Sequence, residues 1–165
     1  MAGYHVLVVE DKYFIADDLR AALVARGAQV VGPVGRPEDA IALLDTSPRI
    51  DIAVLNVDLH GEPVFGLAET LQAGGVPFVF ATGYGAETIP VAYRDVPRWE
   101  KPLRQEALLD ALPQMITTSR LSLGAEGWRL CENASLDGRR RRIVSKIAIH
   151  LNAKTIPCPH GPLAR

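Results

Sequence analysis

Short apolar runs alternate with amphipathic stretches along the first two thirds of this chain, and no other feature narrows its fold as far. His5–Val9 reads as a buried strand. Ile15, Leu19 and Leu23 then recur at i, i+4 and i+8, the stripe of an amphipathic helix that Gly27 stops. Gln29–Val31 is a second strand. Pro37 suits a first helical turn and is followed by Ile41, Leu43 and Leu44. Ile52–Leu55 is a third strand, Val64–Ala73 a helix and Pro77–Ala81 a fourth strand. The Gly- and Pro-interrupted stretch Gly83–Pro97 leaves room only for a short helix. Arg98–Glu100 is a short edge strand, and Gln105–Leu112 a helix with Leu108, Leu109 and Leu112 on one side.

Strands that are apolar at every position are covered on both faces, which is the habit of parallel sheets. Strict β/α alternation says the same. The expected class is α/β: a doubly wound, five-stranded parallel sheet with a basic C-terminal extension. In such sheets the working groups gather at the carboxyl ends of the strands. Here those ends carry Glu10 and Asp11, Asn56, Thr82 and Lys101, each the first polar residue after its strand or one place on.

These residues resemble the receiver domain of bacterial response regulators, a flavodoxin-like fold. The resemblance rests on VLVVED at 6–11, the strand ending at Asn56, FATG at 80–83 and KP at 101–102, and covers about residues 4–116. VPFVFATGY at 76–84 looks particularly like receivers partnered with the HWE group of sensor histidine kinases, a group that includes some phytochrome photoreceptors. The resemblance implies that Glu10 and Asp11 bind Mg²⁺, and that Thr82 and Lys101 contact the oxygens of a phosphoryl group. It places the phosphoacceptor, an Asp in the family, on Asn56. Relatives often read Leu-Asp-Val-Asn-Leu where this chain has Leu-Asn-Val-Asp-Leu. Many receivers also keep an aromatic residue three places before the lysine, where this chain has Arg98.

A carboxylate attacks phosphorus because it carries a full negative charge. A carboxamide carries none, so Asn56 is not expected to form an acyl phosphate. Losing one charge also weakens a site for Mg²⁺, which prefers hard anionic oxygen ligands. With one acid fewer, Lys101 becomes able to pair directly with Glu10 and Asp11. Asp58, two residues on, stays open between three roles: substitute acceptor, metal ligand or solvated loop acid.

Net charge divides the chain. Residues 1–116 hold nine Lys/Arg against sixteen Asp/Glu, a net of −7, and residues 117–165 hold nine against three, a net of +6. The first part is expected to be the receiver domain and the second a basic arm without a recognisable output domain. Within the arm, Ile143, Ile147 and Leu151 suit a helical stripe. Adding Ile149 suits a strand equally, and the β-branched content leans that way. Arg139, Arg140, Arg141 and Arg142 form a basic run that could neutralise phosphates, but no aromatic residues interleave it. Trp128 is the arm's only aromatic residue. Nucleic acid is therefore the lesser alternative. An arm this poor in large apolar residues builds little core of its own. The expected arrangement is an arm exchanged between two copies, anchored by Trp128, Ile143, Ile147, Ile149 and Leu151.

No apolar run approaches the ~20 residues of a membrane helix, and the first residues do not resemble a signal peptide. The only cysteines, Cys131 and Cys158, suggest no disulfide framework. The sequence thus points to a cytoplasmic, non-enzymatic, single-domain response regulator of a two-component phosphorelay. Its expected partners are a sensor histidine kinase and a second copy of itself.

Overall fold

The computed structural model describes residues 1–126 apart from Pro48, Tyr84, Ala86 and Glu87; the arm residues Trp128, Arg139 to Arg142, Ile143, Ile147, Ile149 and Leu151 lie outside the described residues. The chain order is β1 (His5–Val9), α1 (Tyr13–Ala25), β2 (Gln29–Val34), α2 (Pro37–Thr46), β3 (Ile52–Leu55), β4 (Asp58–Leu59), β5 (Glu62–Pro63), α3 (Phe65–Ala73), β6 (Phe78–Thr82), β7 (Arg98–Glu100) and α4 (Gln105–Glu126), with a 3₁₀ turn at Val91–Tyr93. β2, β1, β3, β6 and β7 form one five-stranded sheet in that order, every neighbouring pair parallel. This is the expected doubly wound α/β architecture.

Successive side chains on a strand point to opposite faces, and the two apolar clusters follow that alternation. Leu7, Val9, Ala53, Leu55, Phe78 and Phe80 face one side, where Ala40 and Leu44 of α2 and Leu67 and Leu71 of α3 cover them. Val6, Val8, Ile52, Val54, Val79 and Ala81 face the other, under Leu19 and Leu23 of α1 and Leu108, Leu109 and Leu112 of α4. On the first side Phe65, Phe78, Phe80 and Tyr93 pack ring against ring, with centroids 5.5–6.2 Å apart. Such contacts add to the area the rings bury. At the amino end of the sheet, the buried Asp51 carboxylate accepts the His5 N–H at 2.9 Å and the Arg49 Nε–H at 2.7 Å.

Four elements differ in their bounds from the sequence reading; α3 starts at Phe65 rather than Val64. β2 runs to Val34 rather than Val31, and β6 starts and ends one residue later, taking in Thr82. The last helix runs to Glu126 rather than Leu112, so it passes through the boundary expected at 116. Pro113 lacks an N–H and marks the apparent stop. The helix continues because Ile116, buried like Leu109 and Leu112, keeps the same stripe on the sheet. Beyond the proline, the Thr117 and Thr118 hydroxyls donate to the carbonyls four residues back. No helix among the described residues is long and apolar enough to cross a membrane.

Phe80 is fully buried at the centre of the ring cluster. Phe80→Ala is expected to destabilise the fold by about 3–5 kcal/mol, through lost transfer energy and the cavity left behind. Urea denaturation followed by circular dichroism measures it, and an effect below about 1 kcal/mol would contradict this account of the core.

Candidate functional site

The strand order reverses between β1 and β3, and such switch points open a crevice at the carboxyl edge of the sheet. Both strands carry their ladders one residue into that crevice. Glu10 donates its N–H to the Val34 carbonyl, and Asn56 donates its N–H to the Val9 carbonyl, each at 2.8 Å. The side chains of Glu10 and Asn56 therefore rise side by side from adjacent strands, 5% and 6% exposed. Lys101 arrives from the far side of the sheet. Its N–H donates to the carbonyl of the fully buried Thr82 at 2.9 Å, which places the lysine directly past the paired ends of β6 and β7.

One nitrogen organises what these elements deliver. Asn56 Nδ2 donates to Glu10 Oε1 at 3.3 Å, to Asp11 Oδ1 at 2.8 Å and to the Asp58 carbonyl at 2.8 Å. All three partners accept only, so the amide group presents its N–H₂ side to them; turned over, its oxygen would face two carboxylates and a carbonyl. Glu10 Oε1 also accepts the Lys12 N–H at 3.1 Å, and Glu10 Oε2 pairs with Lys101 Nζ at 2.5 Å. Asp11 Oδ2 lies 3.1 Å from Lys12 Nζ and 3.6 Å from His60 Nδ1. Thus the expected pairing of Lys101 is with Glu10, while Lys12 and His60 attend Asp11.

Asp58 and Leu59 pair antiparallel with Glu62 and Pro63 in a hairpin with a two-residue loop. His60 and Gly61 at its tip both have positive φ, 55° and 86°. That is the requirement of the turn whose twist suits a tight hairpin. Asp58 Oδ1 accepts the Gly61 N–H at 2.8 Å. The carboxylate thus braces the turn, while the backbone carbonyl of the same residue enters the pocket. Arg98 stands in β7 opposite Phe80, and its neighbour Trp99 packs on the cluster under α1 and α4.

The two acids are shifted in opposite directions. Burial pushes Glu10 above the ordinary 4.5, and the Lys101 contact offsets this only in part. Burial also pushes on Asp11, but the hydrogen bond and charge of Lys12, together with the hydrogen bond from Asn56, outweigh it. Asp11 lies below its ordinary 3.8.

A Mg²⁺ ion demands a near-octahedral set of oxygen ligands. The oxygens at hand are those of Glu10 and Asp11 and the Asp58 carbonyl. All three are bonded to one amide nitrogen, and the second oxygen of Glu10 is held by Lys101. As arranged, this donor set does not fit the ion. Among the described residues, no group of three or more His, Cys, Asp or Glu could hold a metal.

Glu10, Asp11, Asn56 and Lys101 are brought together as the sequence reading expected, with Thr82 adjoining through its backbone. Lys12 and His60 were missed. Lys12 follows the acidic pair directly and could have been noticed. The approach of His60 to Asp11 depends on the hairpin and had no signal in the sequence.

No family model matches the chain, and no curated protein does. Solved structures do. The signal receiver domain of a modulated diguanylate cyclase from Desulfovibrio desulfuricans G20 is 30% identical with a TM-score of 0.63; the match covers 72% of this chain and 97% of that one. The BeF3-activated conformation of SdrG from Pseudomonas melonis Fr1 is 34% identical with a TM-score of 0.60, covering 70% and 98%. The response regulator PhyR from Brucella abortus, at 22% identity and a TM-score of 0.63, covers 77% of this chain and 53% of that one, and adds a likeness of fold.

The opposed shifts set a pH dependence. Asp11 binds its proton less tightly folded than unfolded, so its stabilisation is complete above 3.8 and is lost as pH falls through the lower folded value. Glu10 binds its proton more tightly folded, so its contribution declines as pH rises from 4.5 through the raised value. Asp11→Asn is therefore expected to destabilise the protein at pH 7 and to lose that effect as the pH is taken below 3.8. Denaturation midpoints across a pH series test this; a deficit that does not change with pH would contradict it.

Proposed function

This chain belongs to the CheY-like receiver domains of response regulators, and from that premise we propose that it signals in its two-component pathway by protein–protein contact, without carrying phosphate on Asn56. The observation that supports this reading is the state of the acceptor position. Asn56 is a carboxamide, and its nitrogen is engaged with Glu10, Asp11 and the Asp58 carbonyl. It has no charged oxygen with which to attack phosphorus. Lys101, the residue that would meet a phosphoryl oxygen, is paired with Glu10. Asp58, the runner-up acceptor, has its carboxylate on the Gly61 N–H. The protein is thus a binding module rather than an enzyme.

Its proposed partner is a sensor histidine kinase of the HWE group, of the kind that includes phytochromes. The stretch 76–84 carries that reading. The basic arm, 117–165, is proposed to join two copies, drawn by the opposition of +6 and −7. Because α4 runs to Glu126, an arm deletion that leaves the helix whole begins at 127.

Incubated with a small acyl-phosphate donor and Mg²⁺, the wild-type protein is expected to show no acid-stable, base-labile phosphoryl adduct by intact mass. Asn56→Asp is expected to gain one, since the lysine and the acidic pair are already in place. A wild-type adduct mapped to Asp58 would overturn the reading.

The arm is tested by light scattering. The full chain is expected to be a dimer that weakens as salt rises from about 0.1 to 1 M, where the screening length falls from about 10 to 3 Å. Deleting 127–165 is expected to leave a monomer; a truncated protein that remains fully dimeric rules the arm out as the fastening.

A further inference from the structure

The pocket at the switch point has the layout of a cation site with an amide nitrogen at its centre. Three oxygens that could serve as metal ligands, Glu10 Oε1, Asp11 Oδ1 and the Asp58 carbonyl, converge on Asn56 Nδ2 within 2.8–3.3 Å. The two carboxylates come from the loop after β1 and the carbonyl from the hairpin after β3. His60, at the tip of the hairpin, also approaches Asp11, its Nδ1 lying 3.6 Å from Asp11 Oδ2.

We infer that the Asn56 amide nitrogen holds the place of a divalent cation, so that this receiver head keeps its pocket assembled without metal. The inference rests on the reading of the chain as a receiver with a carboxamide at its acceptor position. The physical case has three parts. First, the amide protons carry partial positive charge and are aimed at the oxygens a cation would otherwise draw together. With Asn at this position the pocket also holds two carboxylates rather than three, which lowers the repulsion a cation would have to offset. Second, Lys101 neutralises Glu10 from the opposite side, supplying a full positive charge where the amide supplies only a dipole. Third, the arrangement excludes the ion it imitates. To ligate a metal, Asn56 would have to turn its oxygen inward. Its N–H₂ would then lose all three partners in a pocket where the residue is 6% exposed, and an unpaired buried donor is costly.

This differs from a site weakened only by the loss of a charge, and the difference can be measured. Thermal unfolding of the full chain is compared in chelator and in millimolar Mg²⁺. The wild-type Tm is expected not to respond. Asn56→Asp is expected to melt several degrees lower in chelator, because three carboxylates then crowd one pocket, and to recover with Mg²⁺ as binding to the folded state stabilises it. The deciding variant is Asn56→Ala, which clears the nitrogen without restoring the charge. It is expected to lose Tm in chelator and to gain a Mg²⁺ response that the wild type lacks. Should the alanine variant fail to fold, Asn56→Ser serves the same purpose. A wild type whose Tm rises with Mg²⁺ as much as that of Asn56→Asp would overturn the inference. So would an alanine or serine variant as indifferent to Mg²⁺ as the wild type, which would leave the lost charge as the whole explanation. Isothermal titration with Mg²⁺ repeats the comparison independently of stability. Phosphate on Asp58 would defeat the functional reading while leaving these melting curves to stand or fall separately.

Discussion

The convergence of two carboxylates and a carbonyl on the side-chain nitrogen of Asn56 is the interaction on which the working end of this molecule depends. A parallel sheet brings the ends of β1 and β3 together, and in this family that brings acids together. Buried acids repel one another unless something positive stands between them. In this chain the positive groups are covalent parts of the protein: the amide of Asn56, the ammonium of Lys101 and, at the surface, that of Lys12. The loop after β1, the end of β3 and the hairpin behind it are tied through one residue, Asn56.

That tie works because the scaffold is stiff. Each sheet face is sealed by a pair of helices, and the strands at the centre of the sheet are buried except for His5 at the start of β1. The pocket lies outside the strand ends, where the backbone turns from ladder to loop. Lys101 reaches Glu10 across the ends of β3 and β6, so one ion pair links distant parts of the carboxyl edge. The opposite edge has its own brace in Asp51 with Arg49 and the His5 N–H. Both ends thus use a buried carboxylate held by backbone donors and one cation, an arrangement that keeps a buried charge tolerable.

The same electrostatics suggest how a regulator can do without phosphate. In a phosphorylated receiver, as the resemblance implies, charge arrives on the acceptor side chain and the lysine contacts the phosphoryl oxygens. In this chain the lysine already has a partner and the acceptor has no charge to offer, so information is proposed to pass through which surfaces are bound. The acidic head and basic arm are proposed to supply a means of association that salt can weaken.

The sequence by itself determined the α/β class, the order of the five sheet strands' appearance, both covered faces and the cluster of Glu10, Asp11, Asn56, Thr82 and Lys101 at the strand ends. Apolar periodicity is local, and parallel strands buried on both sides leave few ways to arrange it. The expectation that Asn56 takes no phosphate is equally local, since whether a group can attack phosphorus is a property of that group. Only the tertiary structure decided what the amide does instead. It required the register that sets Asn56 beside Glu10, and the left-handed turn at His60 and Gly61 that carries the Asp58 carbonyl into the pocket while its carboxylate braces the hairpin. It also decided that α4 continues beyond Pro113, because the burial of Ile116 outweighs one missing N–H. Such outcomes depend on distances between residues far apart in the chain, and no local pattern encodes those distances.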